Sequence, residues 1–68
     1  MEFKKVKSSS LESVYYHHKE KQLDVLFKND SLYRYDNVSL GEYEQILNSD
    51  SPGTKLKEIV KGKSYTKL

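Results

Sequence analysis

The chain has 68 residues, 32% of them charged, with a net charge of +2 and no cysteine. That is material for one domain, 1–68, around one core, and it leaves no room for the lobes of a pocketed multi-step enzyme. Disulfides, thiolate metal sites and thiol catalysis are excluded, so packing alone must supply a stability margin of roughly 3–5 kcal/mol.

Leu, Ile, Val and Phe together account for 17 residues, about a quarter of the chain and above the roughly 20% below which disorder is expected. Six tyrosines dominate the aromatic set, so part of the interior must be built from rings whose hydroxyls need partners. No apolar run reaches the length of a signal sequence or a membrane span, which predicts a cytoplasmic protein with no membrane contact.

In chain order, a polar lead-in with Lys4, Lys5 and Lys7 is followed by alternation at Val14 and Tyr16, and again at Leu23, Val25 and Phe27. Period two predicts two strands joined by a turn over the polar stretch 17–22. The run Leu32-Tyr33-Arg34-Tyr35 after Lys28-Asn29-Asp30 predicts a third. A two-residue turn would put its tyrosines on the face opposite Leu23, Val25 and Phe27. A three-residue loop with Asp30 left-handed instead pairs Val25 with Tyr33 and Leu23 with Tyr35, and sets Asp24 opposite Arg34 on the other face. The second register keeps the apolar set together. Chain order makes the second strand central.

Ser39-Leu40-Gly41-Glu42 has the form of a capping box, with Val38 and Tyr43 spaced as a hydrophobic staple. Leu40, Tyr43, Ile46 and Leu47 then form the apolar stripe of a first helix. After Asn48–Ser51, Pro52 fits the first turn of a second helix, Leu56, Ile59 and Val60 form its inner face, and Gly62 is a left-handed stop. Tyr65 anchors the tail. The expected fold is α+β: a three-stranded antiparallel β-meander followed by two short helices packed on one face, β-β-β-α-α.

The order of these signals resembles the KTSC domain, a small module named after the C-terminus of some lysyl-tRNA synthetases and also found alone in bacteria and phages. The resemblance runs through Val6-Lys7-Ser8-Ser9, Leu11, Val14 with Tyr16, Leu23-x-Val25-x-Phe27, the central Tyr33-x-Tyr35, Val38, Tyr43, Leu47, Gly53 and Tyr65. Asp30 stands where the family usually has glycine, which fits a left-handed turn residue. The resemblance implies an RNA-binding or tRNA-related role, suggested by the fusion partner rather than by a mechanism.

Charge adds a location. Residues 1–10 carry +2, residues 11–50 carry −4 and residues 51–68 carry +4. Lys55, Lys57, Lys61 and Lys63 fall on or just after the second helix, away from its apolar face, and form a candidate phosphate-binding patch with the amides of Gly53 and Thr54. Arg34, Tyr15 and Tyr65 are the candidate stacking residues, with Tyr33 and Tyr35 assigned to the core under the helices. His17-His18 lack a third ligand at a supporting spacing, so no metal or cofactor is expected. Ser8–Ser10, the histidines and Asp24 or Asp36 lack the strained turn and oxyanion hole of a nucleophilic site. Ser8-Ser9 fits a turn motif whose hydroxyls satisfy local backbone groups.

The sequence therefore points to a non-enzymatic module that binds RNA through its basic C-terminal helix. The alternative is a protein-interaction module, such as a phage or prophage product that binds and modulates a host protein. The single arginine and low net charge favour that alternative.

Overall fold

The computed structural model describes residues 3–68. Five antiparallel strands form one sheet in chain order: β1 (Lys4–Lys5), β2 (Leu11–His17), β3 (Gln22–Phe27), β4 (Leu32–Tyr35) and β5 (Tyr65–Lys67). Helices α1 (Leu40–Asn48) and α2 (Pro52–Val60) lie between β4 and β5 in sequence. The expected three-stranded meander is thus the centre of a five-stranded sheet, with β3 in the middle. Every residue of β1 and β5 is exposed, so these strands are held by backbone pairing and carry no alternating pattern to reveal them.

The β3–β4 register is the one argued from face consistency, with Val25 opposite Tyr33, Leu23 opposite Tyr35 and Asp24 opposite Arg34. Asp30 has φ +69°. The loop closes through Phe27 N–H to the Ser31 carbonyl at 2.8 Å and Asp30 N–H to the Phe27 carbonyl at 3.0 Å. On the other side of β3, a bulge falls between Leu11 and Ser13. The extra residue changes the phase of β2, so Leu11 and Val14 both reach the core although they are three positions apart.

The capping box forms in full: the Ser39 hydroxyl accepts from Glu42 N–H at 3.2 Å, and a Glu42 carboxylate oxygen accepts from Ser39 N–H at 3.0 Å. Pro52 opens α2, and Gly62 follows it at φ +84°. Ile46 is the buried residue of α1, whereas Leu40 is 45% exposed and drops out of the predicted stripe. Gly53 is buried where α2 meets the serine loop, and a Cβ there would stand 2.7 Å from Ser10 Oγ and 3.2 Å from Ser8 Oγ. Only glycine lets the helix approach this closely.

The core consists of Leu11, Val14 and Tyr16 from β2, Leu23 and Val25 from β3, and Val38, Ile46 and Leu56. All of its sheet residues come from β2 and β3. The helices therefore cover the middle of the sheet most fully, Tyr35 of β4 packs partly buried at their margin, and β5 lies exposed. None of the helices is long and apolar enough to cross a membrane.

Candidate functional site

Alternation along β4 sends Tyr33 and Tyr35 to the helix-bearing face, as expected; Tyr35 packs partly buried against the core, and both rings sit at the margin of the helices' cover. Both are half-buried. Tyr65 pairs across from Tyr35 and Lys67 from Tyr33, so β5 brings a third tyrosine to the same face. Ring centroids are 6.2 Å apart for Tyr33–Tyr35, 5.6 Å for Tyr33–Tyr65 and 5.9 Å for Tyr35–Tyr65, and Phe27 meets Tyr33 edge-on at 5.6 Å.

These four rings, with Asn29 and Ser31 of the β3–β4 loop, line an open groove of about 370 Å³. Burial, then the proximity of Tyr33 and Tyr65, pushes the Tyr35 hydroxyl above its ordinary value. It therefore stays protonated as a donor at neutral pH.

A second, more polar cleft of about 550 Å³ lies between the serine loop and the start of α2, lined by Lys7, Ser8–Ser10, Asp50–Thr54 and Lys57. Ser8 Oγ accepts from Ser10 N–H at 3.1 Å and Leu11 N–H at 3.2 Å. This is the local backbone role expected of the loop hydroxyls.

Two of the four lysines of the predicted patch have partners within the fold. Lys63 donates to the Asn37 carbonyl at 2.6 Å and lies 3.4 Å from a Glu42 carboxylate oxygen. Lys55 pairs with Glu58 at 3.5 Å within α2. Lys57 faces the serine-loop cleft, and Lys61 is exposed at the end of α2. The Ser39 amide, opposed by partial burial and aided by Lys63, holds the Glu42 carboxyl below its ordinary value.

Arg34 and Tyr15 lie on the opposite face of the sheet. Arg34 grips Asp24 with Nε at 2.8 Å and Nη2 at 3.0 Å. His17, at the end of β2 rather than in a loop, places Nε2 2.9 Å from Asp24 Oδ2, the oxygen that also accepts from Arg34 Nη2. Burial would raise the Asp24 carboxyl, but the bonds from Arg34 and His17 outweigh it and hold it below the usual range. Tyr15 rests edge-on against His17 at 4.7 Å and beside Phe3 at 5.8 Å. His18 turns away to meet Tyr16 at 5.0 Å, and among the described residues no group of three His, Asp or Glu side chains gathers to hold a metal.

Of the predicted site residues, then, only Tyr65 joins the aromatic groove. The sequence reading missed the groove because β5 has no apolar pattern. The offset register of Tyr33 and Tyr35 was visible, but the extent of helix cover was not.

The KTSC domain model matches residues 7–65. The chain belongs to the KTSC domain family. Among solved structures it is similar to the crystal structure of a KTSC domain protein from Yersinia pestis, with a TM-score of 0.91 at 22% identity, covering 98% of this chain and 96% of that one. At that identity the likeness speaks for the fold. No curated protein matches the chain. The Tyr33-x-Tyr35 pair that carried the resemblance is the floor of the groove.

Proposed function

We propose that this KTSC domain is a cytoplasmic, non-enzymatic binding module for single-stranded RNA, and that the aromatic groove is its binding surface. The supporting observation is the cluster of Tyr33, Tyr35, Tyr65 and Phe27 around one open groove at the margin of the helix-covered core. Alternate positions of a strand offer rings at intervals of about 6.5–7 Å, on which successive unstacked bases can lie. Sheet aromatics bind every base through its π-face. Lys67, in the same cross-strand row as Tyr33, is placed to meet phosphate at the groove's edge, and the helix lysines add a weak general field.

The test is titration of the isotope-labelled protein with a short mixed-sequence oligoribonucleotide, following each backbone amide by NMR at low and physiological salt. Shifts concentrated at Phe27, Asn29, Ser31, Tyr33, Tyr35 and Tyr65 are expected. Because few phosphates are neutralised, the salt slope should be shallow, about −0.7 per phosphate contact. A spectrum unchanged at low salt overturns the reading.

A protein-interaction role has its own support. The only arginine is committed to Asp24, and Phe3 and Leu68 are 41% and 52% exposed. That reading predicts a discrete complex with weak salt dependence.

A further inference from the structure

The sheet has two edges, and they differ in what they expose. Antiparallel pairing turns the backbone groups of alternate residues toward the neighbouring strand and those of the residues between away from it. At the β1 edge, Val6 N–H donates to the Glu12 carbonyl and Lys4 pairs across from Val14, so within β1 Lys5 alone turns its backbone outward. At the β5 edge, Leu68 N–H donates to the Leu32 carbonyl at 2.8 Å and Asp36 N–H to the Ser64 carbonyl at 2.9 Å. Ser64, Thr66 and Leu68 therefore face β4, and the N–H and C=O groups of both Tyr65 and Lys67 point away from it. β5 is the last strand of the sheet, so among the described residues no strand receives them.

An open edge invites another strand, and lysine on it is a guard against pairing with a second copy. Here the guard also selects. Lys67 is exposed, has no ion pair among the described residues, and belongs to a segment, 51–68, that carries +4. Two such edges repel each other, whereas an acidic strand is attracted.

Side chains directly opposite in an antiparallel pair stand on the same face. Lys67 and Tyr65 share the helix-bearing face with Tyr33 and Tyr35, their partners in β4. A residue opposite Lys67 would meet its ammonium, and one opposite Tyr65 would lie beside a ring that is 61% exposed. Along an antiparallel partner the acidic residue comes first and the aromatic one two positions later, with the residue between them on the other face beside Thr66.

We propose that the open edge of β5 takes an extended segment of a partner protein as a further strand, with an acidic residue opposite Lys67 and an aromatic one opposite Tyr65. Its backbone bonds give affinity and its alternate side chains give specificity, whether or not the groove binds RNA.

Titration of the isotope-labelled full chain with the end-blocked peptide TETFT, followed by amide NMR, tests this. The Tyr65 and Lys67 amide protons should move downfield as they gain bonds, while Thr66, already bonded to β4, moves little. Methylating the backbone nitrogen of the peptide's glutamate, which faces Lys67, should weaken binding about fivefold, the effect of one net hydrogen bond. Methylating that of its central threonine, which faces away, should not. The peptide TKTFT should bind about threefold more weakly than TETFT, and Lys67→Glu, at an exposed position, should reverse that preference.

A spectrum unchanged at a large excess of TETFT, equal shifts along residues 65–67, equal losses from the two methylations, or a preference for TETFT that survives Lys67→Glu overturns the inference. So does the same alternating pattern on concentrating the protein without peptide, which marks a second copy as the occupant, or on adding an oligoribonucleotide.

Discussion

Two tyrosine pairs at one face of the sheet, one joining β2 to α1 and the other lying along β4, have opposite fates. Tyr16 and Tyr43 stack at 4.9 Å with planes 12° apart, Tyr16 is 5% exposed, and its hydroxyl donates to the buried Val38 carbonyl at 2.6 Å. Tyr33 and Tyr35 are also nearly parallel, at 16°, yet they sit in an open groove beside a Tyr65 that is 61% exposed. The ring chemistry is the same, and cover by the helices makes the difference. A tyrosine under a helix must find its hydroxyl a partner inside the fold, whereas one beyond it keeps that hydroxyl for a ligand.

The largest effect should come from the covered pair. Tyr16→Ala removes a buried ring and orphans the Val38 carbonyl, at a cost of about 3–5 kcal/mol, comparable to the whole margin of a domain this size. Denaturant unfolding should find the variant largely unfolded, and a stable Tyr16→Ala would break the comparison. Next comes Asp24→Asn on the opposite face. It should cost about 2–3 kcal/mol at neutral pH, below the value for a fully buried pair because Arg34 is half-exposed.

The same variant tests acid stability. Asp24 and Glu42 both have carboxyls held below their ordinary values. Their contribution is therefore present above the unfolded values, near pH 4, and is lost as pH falls through the lower folded values. Unfolding free energy measured down to about pH 2 should decline in the parent chain and decline less in Asp24→Asn.

Gly53→Ala should cost about 1–3 kcal/mol, since Ser8 Oγ and Ser10 Oγ occupy the space. Ser10→Gly should recover part of that loss, which a double-mutant cycle of melting temperatures would read. The smallest effect on stability belongs to the uncovered set. Tyr65→Ala should change unfolding by less than about 0.5 kcal/mol while weakening oligoribonucleotide binding by about 1–3 kcal/mol. The contrast with Tyr16→Ala, which removes the fold itself while Tyr65→Ala keeps the fold and weakens only the ligand, is the sharpest form of the comparison.

Much of this molecule was legible in its residues. The loop at Lys28-Asn29-Asp30, the Asp24–Arg34 pair, the Ser39 capping box and the Pro52 helix start all rest on local chemistry that the chain spells out. The two edge strands were not legible, because exposed Lys-Lys and Tyr-Thr-Lys carry no burial signal. The site was harder still. Whether Tyr33 and Tyr35 are core or surface depends on where two helices end over a sheet, which no single segment encodes. The partners of the basic patch were hidden for a similar reason: Lys63 bends back to Glu42 and Asn37, contacts across long sequence separations.

Sequence separation also has a kinetic consequence. From β1 to β4 each strand pairs with its chain neighbour through a short turn, so these contacts close small loops and should form early. β5 is different: it reaches Tyr33 from Lys67, and both helices lie between. Its docking closes the longest loop in the sheet, at an edge whose own residues are all exposed. It should be the last strand to join in folding and should open more readily than β2, β3 and β4 in the native state. Because Tyr65 completes the groove, the ligand surface exists only while that strand is docked. Hydrogen exchange at Tyr65–Lys67 should therefore be faster than at the amides of β2, β3 and β4, and should slow if RNA occupies the groove, coupling occupancy of the groove to closure of the chain's end.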